Sequence, residues 1–170
     1  MRSFNPTAGL SNPVYSPNNV LLKGTAATAV LTNTEFADTE ADMVTAITMT
    51  NVPEAIGFTR AAEAAGMPAV VSFTVETDGR LPTGDSLKDA IERVDAATNQ
   101  GPAYYMINCA HPTHFADVLS SGEPWTTRLC GLRANASAKS HAALDEATEL
   151  DDGNPAELAA QYRALVDRLP

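Results

Sequence analysis

The chain's 170 residues are 44% hydrophobic and 19% charged, which is the balance of a folded globular domain and not of a disordered segment. A net charge of −10 excludes the basic face that sequence-independent nucleic-acid binding or an anionic membrane surface would need. No apolar run approaches the roughly 20 residues of a membrane span. The opening Met1-Arg2-Ser3-Phe4-Asn5-Pro6 lacks the apolar core of a secretory signal, and Cys109 and Cys130 alone make no disulfide framework, so a cytoplasmic setting is expected.

Residues 1–36 are rich in Asn, Pro, Ser, Thr and Gly and carry no acidic residue before Glu35. They read as a loop-rich arm, extended or looped over Met1 to Asn19, with one strand expected in the apolar run Ala26 to Leu31. A β/α domain is expected over 37–170, with regular patterning from Ala41 onward. The β-branched run Met43 to Thr48 predicts a strand. Pro53-Glu54 opens a helix that Gly66 and Pro68 stop. Ala69 to Thr74 is a second continuous apolar strand, followed by turns at Thr77-Asp78-Gly79 and Pro82-Thr83-Gly84. Between Ser86 and Ala97 the residues Leu87, Ala90, Ile91 and Val94 recur at helical spacing. A third strand runs from Ala103 to Asn108, and a short helix from Pro112 to Leu119 turns Phe115, Val118 and Leu119 inward. Arg128 to Arg133 is a fourth strand, in which Cys130 is expected to pack. The acidic stretch Glu146 to Asp152 reads as a solvated loop before a terminal helix over Pro155 to Leu169, with Leu158, Tyr162, Leu165 and Leu169 on one stripe.

Strands buried on both faces and alternating with helices predict a parallel α/β sheet with right-handed crossovers. In such a sheet, sites are built at the carboxyl ends of the strands. Cys109 stands there, just before a helix N-terminus, and is read as a buried structural cysteine, a thiolate nucleophile or a metal ligand. His111 and His114 follow it. They read as residues of a helix start, with metal ligation or a Cys-His pair as the functional alternatives. Ser72, polar within an apolar strand, needs a hydrogen-bond partner, either a ligand or a neighbouring carbonyl. Asn135 and Ser137 follow the fourth strand at its carboxyl end and would point into a site or serve the turn. No phosphate loop, dinucleotide fingerprint or paired-carboxylate motif is present.

Val71-Ser72-Phe73-Thr74, Asp78-Gly79-Arg80-Leu81 with Gly84, Met106-Ile107-Asn108-Cys109 and Arg133-Ala134-Asn135-Ala136-Ser137 together resemble the homocysteine S-methyltransferase family, in its order and spacing, over about residues 37–170. Residues 1–36 do not resemble that family's usual sequence and are expected to form a divergent arm. The resemblance implies a (β/α)8-type barrel, of which this chain would supply about four to five parallel β/α units. It also implies methyl transfer to the sulfur of homocysteine from a donor such as S-methylmethionine, in methionine biosynthesis. The family's zinc is held by three thiolates, one in an Asn-Cys context after a strand and an adjacent pair in a Gly-Gly-Cys-Cys motif.

By that likeness Cys109 is the first zinc ligand and Asn108 its neighbour. Asn135 and Ser137 occupy the polar positions of the family's Asn-Ser-Gly turn, here without the glycine. With Ser72, these are the expected substrate-binding residues. The adjacent cysteine pair has no counterpart before Pro170, and Cys130 does not replace it by alignment. The family's Glu after the Met43–Thr48 strand is also absent from Ala46-Ile47-Thr48-Met49-Thr50. Three readings follow. The first is an S-methyltransferase-like chain with an incomplete zinc site. The second is a non-catalytic module that binds a small molecule or a protein, or self-associates through open sheet edges. The third is a cysteine-dependent hydrolase.

Overall fold

Strands form where aliphatic and β-branched side chains are buried on both faces of the chain, and helices form where a capping residue precedes a one-sided apolar stripe. The computed structural model describes residues 3–4, 39–119, 122–166 and 168–169. The strands are β1 (Ser3–Phe4), β2 (Met43–Met49), β3 (Ala69–Phe73), β4 (Pro102–Asn108) and β5 (Leu129–Arg133). They make one five-stranded sheet in the order β1-β2-β3-β4-β5, with every neighbouring pair parallel. This sequential order is that of consecutive β/α units in a barrel, whereas a doubly wound sheet reverses its order partway. The short pairing of Ser3 and Phe4 with Met43 and Val44 falls inside the expected arm. The strand expected over Ala26 to Leu31 lies outside the described residues.

Helix α1 (Val52–Ala64) starts one residue before Pro53 because Asn51 caps it, accepting from the Glu54 N–H. Helix α2 (Leu87–Thr98) is capped by Ser86 and closed by Asn99 in the left-handed conformation. Helix α3 (Pro112–Leu119) matches its sequence expectation, with Phe115 and Leu119 buried. A 3-10 turn (Pro124–Arg128) leads into β5. Helix α4 (His141–Asp145) was not expected, and α5 (Pro155–Val166) stops short of Leu169. One apolar cluster joins Val44, Val71, Phe73, Tyr105 and Ile107 of the strands to Phe58, Leu87 and Ile91 of the helices. Strand alternation therefore sends Val70, Ser72, Met106 and Asn108 to the opposite face. On α5, Leu165 is buried, while the Tyr162 hydroxyl accepts the Ala134 N–H at 2.7 Å and ties the helix to the end of β5. Among the described residues no helix is long and apolar enough to cross a membrane.

Cys130 corrects the sequence expectation. It is exposed on β5, with its thiol toward the Thr127 carbonyl, so it does not pack in the core.

Glu54 provides a pH test of α1. Its carboxylate accepts from the Asn51 amide at 3.0 Å. Burial outweighs that bond and raises its pKa above the ordinary 4.5. The folded chain then holds this proton more tightly than the unfolded chain does. Glu54's contribution to stability should be fully present below 4.5 and be lost as pH rises through the folded value. Urea midpoints measured across this interval are expected to show that decline in the native chain and to lose it in Glu54→Gln. A slope unchanged in the variant would assign it to another group.

Candidate functional site at the strand ends

Asn108 closes β4 and is 1% exposed. Its Oδ1 accepts the Thr48 N–H at 2.9 Å and the Ser72 hydroxyl at 2.6 Å. Its Nδ2 donates to Thr48 Oγ1 at 2.7 Å and to Cys109 Sγ at 3.1 Å. The backbone donor fixes which end of the amide is oxygen, and the carboxamide's bonding capacity is filled. One side chain thus joins the ends of β2, β3 and β4 and grips the thiol. The partner that Ser72 needed is Asn108, not a main-chain carbonyl.

Two residues around this amide have left-handed backbones, Thr48 at φ 64° and Cys109 at φ 56°. For a β-branched residue that conformation is a strained outlier, costing on the order of 1–3 kcal/mol, and surrounding contacts must sustain it. At Thr48 the β2–β3 register also shifts. This irregularity turns both the Thr48 N–H and its hydroxyl onto Asn108. Thr48 Oγ1 lies 3.8 Å from Cys109 Sγ.

Cys109 is held by its backbone as well. Its N–H donates to the Arg133 carbonyl at 3.1 Å, and its own carbonyl accepts from Asn135 Nδ2 at 3.1 Å and from His141 Nε2 at 2.6 Å. His141 opens α4. Its Nε2 also lies 3.4 Å from Thr74 Oγ1, and its Nδ1 is 3.1 Å from Glu76 Oε1, an ion pair when the ring is protonated. The half-buried thiol is therefore fixed from β2, β4 and the loops that follow β3 and β5.

Of the residues expected from sequence, Ser72, Asn108, Cys109 and Asn135 come together here. Ser137 does not join them. Its hydroxyl donates to Asp151 at 2.7 Å, holding that carboxyl below its ordinary 3.8, and closes the loop ahead of α5. His111 and His114 serve α3. His111 Nδ1 accepts near the helix start from Thr113, and burial together with His114 lowers its pKa, favouring the neutral ring. His114 Nε2 donates to the Ala138 carbonyl at 3.0 Å. Gly79, at φ 76°, brings the loop after β3 so close to α3 that a Cβ there would lie 2.8 Å from the His114 carbonyl oxygen.

Thr48, Thr74, Glu76 and His141 also belong to the site; Thr74 ends the Val71-Ser72-Phe73-Thr74 segment without having been singled out, and no motif marks the other three as site residues. The available signal was positional. His141 directly follows the capping Ser140, in the segment after a strand's carboxyl end.

Zinc, expected from the resemblance, takes four ligands, commonly thiolates and imidazoles. Cys109 has no second cysteine beside it, and the His141 nitrogens face the Cys109 carbonyl and Glu76. Among the described residues no group of three or more His, Cys, Asp or Glu side chains is arranged to hold a metal. The described donor set does not fit zinc.

The homocysteine S-methyltransferase family model matches residues 10–168, beginning within the stretch read as an arm. None of the curated proteins matches the chain.

Proposed function

The chain belongs to the homocysteine S-methyltransferase family, and we propose that the ends of β2 to β5 bind homocysteine beside Cys109 as an S-methyltransferase-like site. The observation that carries this reading is the Asn108 hub, which presents the family's Asn-Cys thiol at the carboxyl end of the sheet. In this reading Cys109 is the family's strand-end thiolate, Asn108 and Thr48 orient it, Ser72 backs Asn108, and Asn135 fixes the Cys109 carbonyl. Ser137 acts indirectly, by ordering the loop that carries His141. The reaction class moves a methyl group from a sulfonium sulfur, as in S-methylmethionine, to the homocysteine sulfur, which gives up its proton. A cytoplasmic setting is part of the reading, because free thiols need a reducing compartment.

Zinc is left out of these assignments, since a complete zinc-thiolate site would need donors beyond the described residues. The same donor set favours a second reading, a homocysteine-binding module without methyl transfer. Both readings place homocysteine at Cys109, so protection of that thiol tests their shared core. Homocysteine at millimolar concentration should lower the ratio of Cys109 to Cys130 labelling by iodoacetamide about tenfold, read by peptide mass spectrometry, with the exposed Cys130 in the same tube correcting for reagent that the free homocysteine thiol consumes. Zinc at one equivalent per chain, lost in Cys109→Ala, together with methyl transfer from S-methylmethionine would select the first reading. Equal labelling with and without homocysteine, with no methyl transfer, would discard both.

A further inference from the structure

Cys109 holds a left-handed backbone that a side-chain-bearing residue adopts only when its neighbours over-determine it. That turn carries the thiol across the Asn108 amide. If φ relaxed to a negative value, the Cα–Cβ bond would rotate and Sγ would leave the Asn108 Nδ2 donor, 3.1 Å away. The shortest contact on this residue's backbone is the one from His141 Nε2 to its carbonyl, at 2.6 Å. The His141 side chain is 10% exposed, so its ring has little freedom to swing away. Thr74 and Glu76, from the loop after β3, hold the ring's two nitrogens in place. Asn135 reaches the same carbonyl from the loop after β5.

We propose that His141, backed by Glu76, is a positioning residue that locks the Cys109 turn and so aims the thiol at the Asn108 amide. The proposal rests on the reading of Cys109 as the functional thiol. It concerns the geometry of that thiol, which can be measured without any substrate. His141 meets Cys109 at its main-chain carbonyl, so its effect on the thiol should follow its donor N–H and not its bulk.

The test uses the full chain carrying Cys130→Ser, so that Cys109 is the sole thiol, and measures its rate of reaction with dithionitrobenzoate. His141→Leu keeps bulk but removes the donor. It should raise the Cys109 rate at least fivefold, because the sulfur leaves the cover of Asn108 and Thr48. His141→Gln has an amide N–H able to reach the carbonyl and should return the rate to within twofold of the parent. An unchanged rate in His141→Leu overturns the proposal, as does an equal change in the Gln and Leu variants. If circular dichroism shows that His141→Leu does not fold, Glu76→Ala gives the reading. A rise of at least twofold supports the proposal, and no rise overturns it. Homocysteine protection, read separately in the native chain as the Cys109-to-Cys130 iodoacetamide ratio because free homocysteine would itself consume dithionitrobenzoate, separates the two ideas. Its absence removes the binding reading, while the His141 dependence of the thiol rate still stands or falls by itself.

Discussion

Tyr105→Ala is expected to destabilise the fold by about 3–5 kcal/mol, the usual cost of deleting a large buried aromatic. The ring is fully buried in β4, stacks on Phe73 at 6.1 Å between centroids, and lies 5.4 Å beneath the Arg128 guanidinium. Its hydroxyl donates to Asp95 Oδ1 at 2.8 Å. Burial, reinforced by the Asp95 carboxylate, holds the phenol far above its ordinary pKa, so it remains a donor at any working pH. Asp95 also takes both Arg128 Nε and Nη2 at 2.9 Å, which ties α2 to the start of β5. Alanine would remove the ring from this stack and leave Asp95 one donor short. Tyr105→Phe keeps the ring and loses one hydrogen bond, worth about 1 kcal/mol. At roughly 2–4 °C per kcal/mol for a chain of this size, calorimetry should find the alanine variant lower by about 6–20 °C and the phenylalanine variant by about 2–4 °C. Equal losses would place the energy in the Asp95 network and not in the ring.

The scaffold was legible because its signals are local. Continuous apolar runs at Met43–Thr48, Ala69–Thr74 and Ala103–Asn108 each became a strand, and Ser86 capped α2 where the helical spacing begins. Cys130 misled because the β4–β5 register shifts there: Tyr105 pairs with Leu129 and Met106 with Gly131, so Cys130 is an extra residue outside the strand's alternation and its side chain is exposed. Helix α4 has five residues, too few to show a period, and only its Ser140 cap announces it. At the site, Asn108, Cys109 and Asn135 were readable from their places at strand ends, and Ser72 from being polar inside an apolar run. The remaining partners were not readable. Thr48 meets Asn108 across 60 residues and only because its φ is positive, and Glu76 meets His141 across 65. Contacts of that separation are set by strand register, which a single sequence specifies only through the faces it buries. The resemblance to the family supplied a zinc expectation that the described donors do not meet.

Asn108 is where the fold and the chemistry of the site are hardest to separate, and two substitutions should separate them. Asn108→Ala deletes the carboxamide and leaves the Thr48 N–H and the buried Ser72 hydroxyl without their acceptor. Unsatisfied buried donors cost about 1–3 kcal/mol each, and partial relaxation places the expected loss at about 2–4 kcal/mol. The strained Thr48 turn also loses what sustains it, so the melting temperature should drop by roughly 4–16 °C. Cys109, freed from its amide donor, should react faster with dithionitrobenzoate. Asn108→Asp has nearly the same shape. One carboxylate oxygen can still accept from Thr48 N–H and Ser72, and the Thr48 hydroxyl can rotate to donate to the other. What it cannot supply is an N–H for Cys109 Sγ, 3.1 Å away. It places a negative charge there instead, and a like charge opposes formation of the thiolate. The aspartate variant should therefore keep more of the stability than the alanine variant while its Cys109 reacts at least tenfold more slowly than in the parent. If both variants speed the thiol equally, Asn108 merely shields Cys109 sterically, and its amide has no part in setting the sulfur's chemistry.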